Sequence, residues 1–182
     1  AWCSYKYLNA GPGGIAGVYI HESHCRDQTI NRFEGWWGND PGTRFKMMHD
    51  FKAVESADAW QLSNPPIFQL AALKGSLDVF AKTSMQALAQ KGLQQVSYLS
   101  YLLQTLLADS VEIITPLQKG MHGNQLSLKL SAAPQDIQKQ LMEQGVVTDF
   151  RAPDVLRIAV APLYTRYVDC YEFVMKLKSL LG

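Results

Sequence analysis

Lys6 sits between two phenols, in Ser4-Tyr5-Lys6-Tyr7, and runs directly into Leu8-Asn9-Ala10-Gly11-Pro12-Gly13-Gly14. A lysine amine attacks an aldehyde once it is deprotonated, a state that burial favours. A neighbouring phenol donates to a phosphate or to a reacting oxygen. From these residues alone a solvated surface lysine is the commoner reading. The glycines do not decide it. They precede an apolar run instead of opening a helix, so they form neither a dinucleotide-binding nor a P-loop fingerprint.

Three further segments carry side chains of interest. Gly35-Trp36-Trp37-Gly38 places two indoles between glycines; such a pair serves as core filler, as an interface patch or as the wall of a ligand site. Ser63-Asn64-Pro65-Pro66 reads as a helix start with a good capping residue, and an Asn amide there is also available to a ligand. Arg157 lies in Leu156-Arg157-Ile158-Ala159, an otherwise apolar strand. A charge in that setting needs a partner, either a structural carboxylate or a ligand carboxylate gripped by the planar fork. His21-Glu22-Ser23-His24 does not make a metal site, because its histidines are three apart and not four. His49 and His122 stand alone, and no metal is expected.

The elements that must position these residues follow from the apolar pattern. Residues 1–14 read as a loop. Ile15 to Glu22 reads as a strand buried on both faces. Residues 23–66 show no sustained period and hold three of the four tryptophans, which marks a long structured loop region. Ile67, Leu70, Ala71, Leu73, Leu77, Val79 and Phe80 recur at helical spacing. A second helix is expected from Thr83 or Ser84 to about Ala108, weakened at Gly92. Beyond it the order is strand (from Val111), strand (Gln125–Leu130), helix (Pro134–Gln144, closed by Gly145), strand (Val146–Thr148), strand (Val155–Ile158) and a closing helix (Tyr167–Leu181). This divides the chain into residues 1–80, with the lysine loop and interface loops, and a small α+β domain over 81–182.

Composition narrows the function classes. The chain of 182 residues is 47% hydrophobic and 18% charged, as expected of a folded globular protein. A net charge of +1 leaves no electrostatic footprint for nucleic acid or an anionic membrane. No apolar run reaches the length of a membrane span. Cys3, Cys25 and Cys170 are scattered and read as reduced thiols, which suits the cytoplasm.

Taken in order, WCSYKYLNAGPGG, GWWG, TRFKM, WQLSNPP and LRIAVAPLY resemble the kynureninases across essentially the whole chain. The resemblance implies the C-terminal part of an α/β architecture, that of the pyridoxal-phosphate (PLP)-dependent transferase-like enzymes of fold type I, ending in a small α+β domain. It implies a cytoplasmic homodimer that hydrolyses L-kynurenine or 3-hydroxy-L-kynurenine to (3-hydroxy)anthranilate and L-alanine, in tryptophan catabolism and NAD biosynthesis. Lys6 matches the lysine that holds PLP covalently. Tyr5 matches the tyrosine at the cofactor phosphate that assists proton transfer. Trp36 and Asn64 match positions at the cofactor and substrate, and Arg157 matches the arginine that binds the substrate α-carboxylate. Asn39 stands where some members have His, so the preference between the two kynurenines stays open. The family chain is more than twice this length, so the aspartate at the pyridine nitrogen, the stacked aromatic ring and the Ser/Thr groups at the phosphate are expected upstream, and the chain is expected to be an inactive fragment. Two alternatives remain: another fold-type-I enzyme, such as a cysteine desulfurase or an aminotransferase, and a stand-alone interaction or dimerisation module.

Overall fold

In the computed structural model, which describes residues 1–182 throughout, the chain divides into two units, Ala1–Ala81 and Lys82–Gly182.

Within the second unit, Ser84 accepts a hydrogen bond from the Ala87 amide at 3.1 Å and so starts a long helix. We number the helices and strands of both units in chain order. This one is α3 (Met85–Leu106). It buries Leu88, Val96, Leu99, Leu102 and Leu103, spaced as one helical face, whereas Leu93 stays exposed. The helix runs through Gly92 without a break. This glycine is buried, and a Cβ placed there would lie 2.4 Å from Asn124 Oδ1, so the missing side chain is what lets Asn124 approach.

Four strands follow: β3 (Val111–Ile113), β4 (Gln125–Leu130), β5 (Asp149–Arg151) and β6 (Val155–Ala159). They form one antiparallel sheet in the order β3-β4-β6-β5. Alternation gives the sheet a buried and an open face. Leu126, Leu128 and Leu130 of β4 and Leu156 and Ile158 of β6 enter the core, where they meet α3, α4 (Pro134–Glu143) and α5 (Tyr167–Leu181). Pro134 opens α4 at a position with no intrahelical N–H to lose. Gly145, at φ +77°, closes it, with its amide on Met142 O at 3.0 Å and that of Val146 on Leu141 O at 2.8 Å.

One strand lies elsewhere than its apolar content suggests. Val146–Thr148 was the expected ladder, but β5 is Asp149–Arg151. Register decides this: β5 pairs only with β6, and the pairs are Asp149 with Arg157, Phe150 with Leu156 and Arg151 with Val155. The matched charges fall on the open face of an edge strand.

The first unit is mostly loop. β1 (Trp2–Cys3) and β2 (Ala16–Gly17) form a two-stranded ribbon. The expected strand over Ile15–Glu22 is thus only two residues long. No other segment runs beside it, and Val18 and Tyr19 are exposed. Residues 23–66 are irregular apart from α1 (Glu22–Cys25) and two 3-10 turns, Trp36–Gly38 and Ala57–Trp60. His21 caps α1, its Nδ1 accepting from the Ser23 amide at 3.2 Å. The helix α2 (Ile67–Phe80) is largely apolar yet buries no residue. Pro66 takes its N-cap position and carries no side-chain acceptor, so the helix lacks the side-chain cap that Ser63-Asn64-Pro65-Pro66 suggests.

Candidate active site

Lys6 stands in the loop that joins β1 to β2. The loop is built from backbone bonds: Asn9 N donates to Lys6 O at 2.9 Å, Ala10 N to Ser4 O at 3.0 Å, and Gly14 N to Gly11 O at 3.1 Å. Asn9 takes the left-handed conformation at φ +55°, which Asn tolerates, and Gly11 and Gly13 take φ +80° and +77°. Ser4 is 1% exposed, and its hydroxyl donates to Ile15 O at 2.5 Å, clamping the start of the loop to its end. Gly14 packs onto that clamp, since a Cβ there would lie 2.8 Å from Ser4 Oγ. The Ser76 hydroxyl of α2 donates to Leu8 O and holds the far side.

Two features of Lys6 bear on chemistry. Its Nζ lies 5.7 Å from the centre of the Tyr5 ring, and it joins no salt bridge. Both Lys6 and Tyr5 are exposed, because nothing in this unit covers the turn. The amine is presented, not shielded.

The tryptophan pair forms a second cluster in the same unit. Gly35 lies so close to the Leu62 backbone that a Cβ would sit 2.3 Å from Leu62 O. That approach brings the segment after Leu62 alongside the indoles. Trp37 Nε1 then donates to Asn64 Oδ1 at 2.7 Å. Arg44 stacks over the Trp37 ring at 4.5 Å and donates to the carbonyls of Trp37 (3.0 Å) and Asn39 (3.1 Å). Trp36 is exposed and meets Phe45 edge-on at 5.4 Å. Trp36, Asn39, Arg44 and His49 border one open cleft. Asn64 is thereby joined to Trp37 and not to Trp36, and no hydrogen bond, ion pair or aromatic contact links either to the Lys6 turn. Sequence reading missed Trp37 and Arg44 as the groups that fix Asn64 and the cleft. The Trp-Trp doublet was the available signal for the first.

In the second unit Arg157 projects from the open face of β6, between buried Leu156 and Ile158. The partner it needs is Asp149, directly opposite on β5. Asp149 Oδ2 accepts from Arg157 Nε at 2.9 Å and from Arg157 Nη2. Arg151 adds a second guanidinium, with Nε at 3.1 Å and Nη2 at 2.9 Å from the same oxygen. Desolvation pushes the Asp149 carboxyl up, but the hydrogen bond and charge of Arg157, with those of Arg151, outweigh it and hold the group below its ordinary value. Asp149 was not foreseen; acidic and basic residues two apart in Asp149-Phe150-Arg151 were its only local signal.

Cys170 lies in α5 at 3% exposure, and burial, followed by the charge of Asp169, raises its thiol pKa. That is the setting of a structural thiol, not of a nucleophile.

Comparison with known proteins decides the family. A sequence model of the kynureninase C-terminal domain matches residues 88–177. The kynureninase of Myxococcus xanthus is 50% identical over 178 residues, which cover 98% of this chain and 42% of that protein. The chain belongs to the kynureninase family. The kynureninase of Koribacter versatilis is 45% identical over 182 residues (100% of this chain, 43% of that protein), and that of Nematostella vectensis 42% identical over 189 (98% and 41%). The chain therefore spans about two fifths of the length of the curated kynureninases it matches. Among solved structures, the cystine C-S lyase C-DES, in complex with its product cysteine persulfide, aligns at a TM-score of 0.74 with 19% identity, over 98% of this chain and 45% of that one. A C-DES mutant with glycine covalently linked to its PLP cofactor aligns at 0.71 with 19% identity, over 91% and 43%. These likenesses show the fold, that of the fold-type-I enzymes in its C-terminal part. Kynureninase and lyase share it, so fold does not separate them; the sequence identity does.

Proposed function

We propose that the protein carrying this kynureninase-family chain is a cytoplasmic, PLP-dependent kynureninase of tryptophan catabolism and NAD biosynthesis. It hydrolyses L-kynurenine or 3-hydroxy-L-kynurenine to (3-hydroxy)anthranilate and L-alanine. The observation that carries this reading is the Lys6 turn: an exposed amine with no carboxylate partner, on a loop fixed at both ends by Ser4, in a chain up to 50% identical to kynureninases.

The residues present suit PLP. Lys6 offers a primary amine to an aldehyde, and the Tyr5 hydroxyl beside it offers a donor to a phosphate. Asn64 keeps its Nδ2 free, because its Oδ1 is taken by Trp37, and the exposed Trp36 indole supplies a flat wall and one N–H. When bound, PLP serves as an electron sink for the carbons of an amino-acid substrate. Within that scheme Lys6 Nζ would hold the cofactor and, when free of it, would move a proton to and from the substrate carbons, with Tyr5 beside it to relay. Asn64 and Trp36 orient the cofactor and the substrate. Arg157 grips the α-carboxylate and so fixes which bond is broken.

The homodimer is part of the same reading, and the apolar surface of the first unit is open to the rest of the full-length chain or to a second copy. Ile67 and Phe68 at the start of α2 are 75% and 88% exposed, and an apolar helix with no buried residue calls for a cover.

Anthranilate fluorescence on adding L-kynurenine and PLP to the full-length gene product tests the activity. 3-Hydroxy-L-kynurenine in parallel reads the preference left open at Asn39. Sulfide release from cysteine, with no anthranilate, would place the protein with the lyases instead.

A further inference from the structure

Arg157 has five N–H donors, and the structure uses only one side of its fork. Asp149 Oδ2 takes Nε at 2.9 Å and one hydrogen of Nη2. Nη1 has no partner in the protein and is not sealed from solvent. What remains is the Nη1–Nη2 end, two parallel donors at the spacing of a carboxylate. Arg151 holds Asp149 from the other side through two donors of its own. Two guanidinium groups and one carboxylate leave a net positive charge on the open face of the sheet.

We propose that Asp149 is a positioning residue for Arg157: it fixes the Nε–Nη2 edge of the guanidinium so that the Nη1–Nη2 end stays open and aimed as the fork for a substrate carboxylate, while Arg151 keeps Asp149 in place. This rests on the reading of Arg157 as the carboxylate anchor. Asp149 is suited to the role because it is the cross-strand partner of Arg157, so the backbone register of β5 on β6 sets the guanidinium plane. An ordinary surface ion pair in the same place would contribute little and would leave substrate binding untouched.

The test is steady-state kinetics of the full-length gene product on L-kynurenine, with kynuramine, the same molecule without its carboxylate, as a competing ligand. Asp149→Ala is expected to raise KM for L-kynurenine roughly tenfold with kcat changed less than about threefold, and to leave the Ki of kynuramine unchanged. Asp149→Asn, which keeps the volume and one acceptor, is expected to fall between wild type and Asp149→Ala. An unchanged KM overturns the proposal, as does an equal loss for both ligands, which marks a merely structural residue. Arg157→Gln separates the two layers: if it leaves KM unchanged, the reading of Arg157 as anchor fails first. Independently of activity, the Arg157 Nε–H resonance of the chain should move in Asp149→Asn; an unmoved signal refutes the pairing itself.

Discussion

Ser4→Ala removes the one side-chain bond that ties the start of the Lys6 loop to its end. Ser4 is 1% exposed, and its hydroxyl lies 2.5 Å from Ile15 O. A neutral hydrogen bond is worth about 1 kcal/mol net, and more when the abandoned partner stays dry. Ile15 is half-buried, so its carbonyl recovers part of the loss from water. The expected cost is therefore about 1–2 kcal/mol, confined to the loop, which corresponds to roughly a 5–30-fold rise in its open population. Amide hydrogen exchange followed by NMR reads this directly. The Ala10 amide, bonded to Ser4 O, and the Gly14 amide, bonded to Gly11 O, should exchange faster by that factor. The amides of Val174 and Leu177, buried in α5, should not change. In the full-length gene product the same variant should retain PLP more weakly. Unchanged exchange at Ala10 and Gly14 would refute the clamp, and with it the claim that the lysine is held on a fixed turn.

Other consequences concern the second unit and the tryptophan cleft. Leu156→Ala empties a core position with no exposed surface, where β6 meets α4 and α5; a loss of about 2–5 kcal/mol and a Tm lower by roughly 10–30 °C should appear in a thermal melt. Gly92→Ala sets the better helix propensity of Ala against displacement of the Asn124 side chain, whose Oδ1 would lie 2.4 Å from the new Cβ; adding Asn124→Ala should make the double variant more stable than Gly92→Ala alone, and an unchanged stability would show that Asn124 simply swings aside. Asp149 has a depressed pKa in the folded state, so its contribution is present above the unfolded carboxylate value and fades as pH falls through the folded one. Wild type should thus lose stability below about pH 4 more steeply than Asp149→Asn, with the difference shrinking in high salt. Asn64→Ala should free the Trp37 indole and shift its emission, while leaving the Trp36–Phe45 contact in place.

The second unit was legible wherever structure is local. Gln125–Leu130 alternates and is β4; Tyr167–Leu181 carries a helical face and is α5; Ser84, Pro134 and Gly145 mark helix ends by their own chemistry. Sequence failed where partners decide. Val146-Val147-Thr148 has the better strand composition, yet the ladder begins at Asp149 because register on β6 pairs Asp149 with Arg157. Ile15–Glu22 has the composition of a buried strand but finds a neighbour only at Ala16–Gly17. The site shows the same division. Lys6, Tyr5, Trp36, Asn64 and Arg157 were singled out because unusual side chains cluster in ordered motifs. Asp149, Trp37 and Arg44 were missed because their importance lies in what they touch across the fold.

The central claim is that Lys6 is the lysine that holds the cofactor. Borohydride reduction of the full-length gene product with PLP, followed by peptide mapping, tests it most directly. A phosphopyridoxyl group on Lys6, lost together with anthranilate formation in Lys6→Ala, is the expected result. A label on another lysine, or a Lys6→Ala variant that still forms anthranilate, would contradict it.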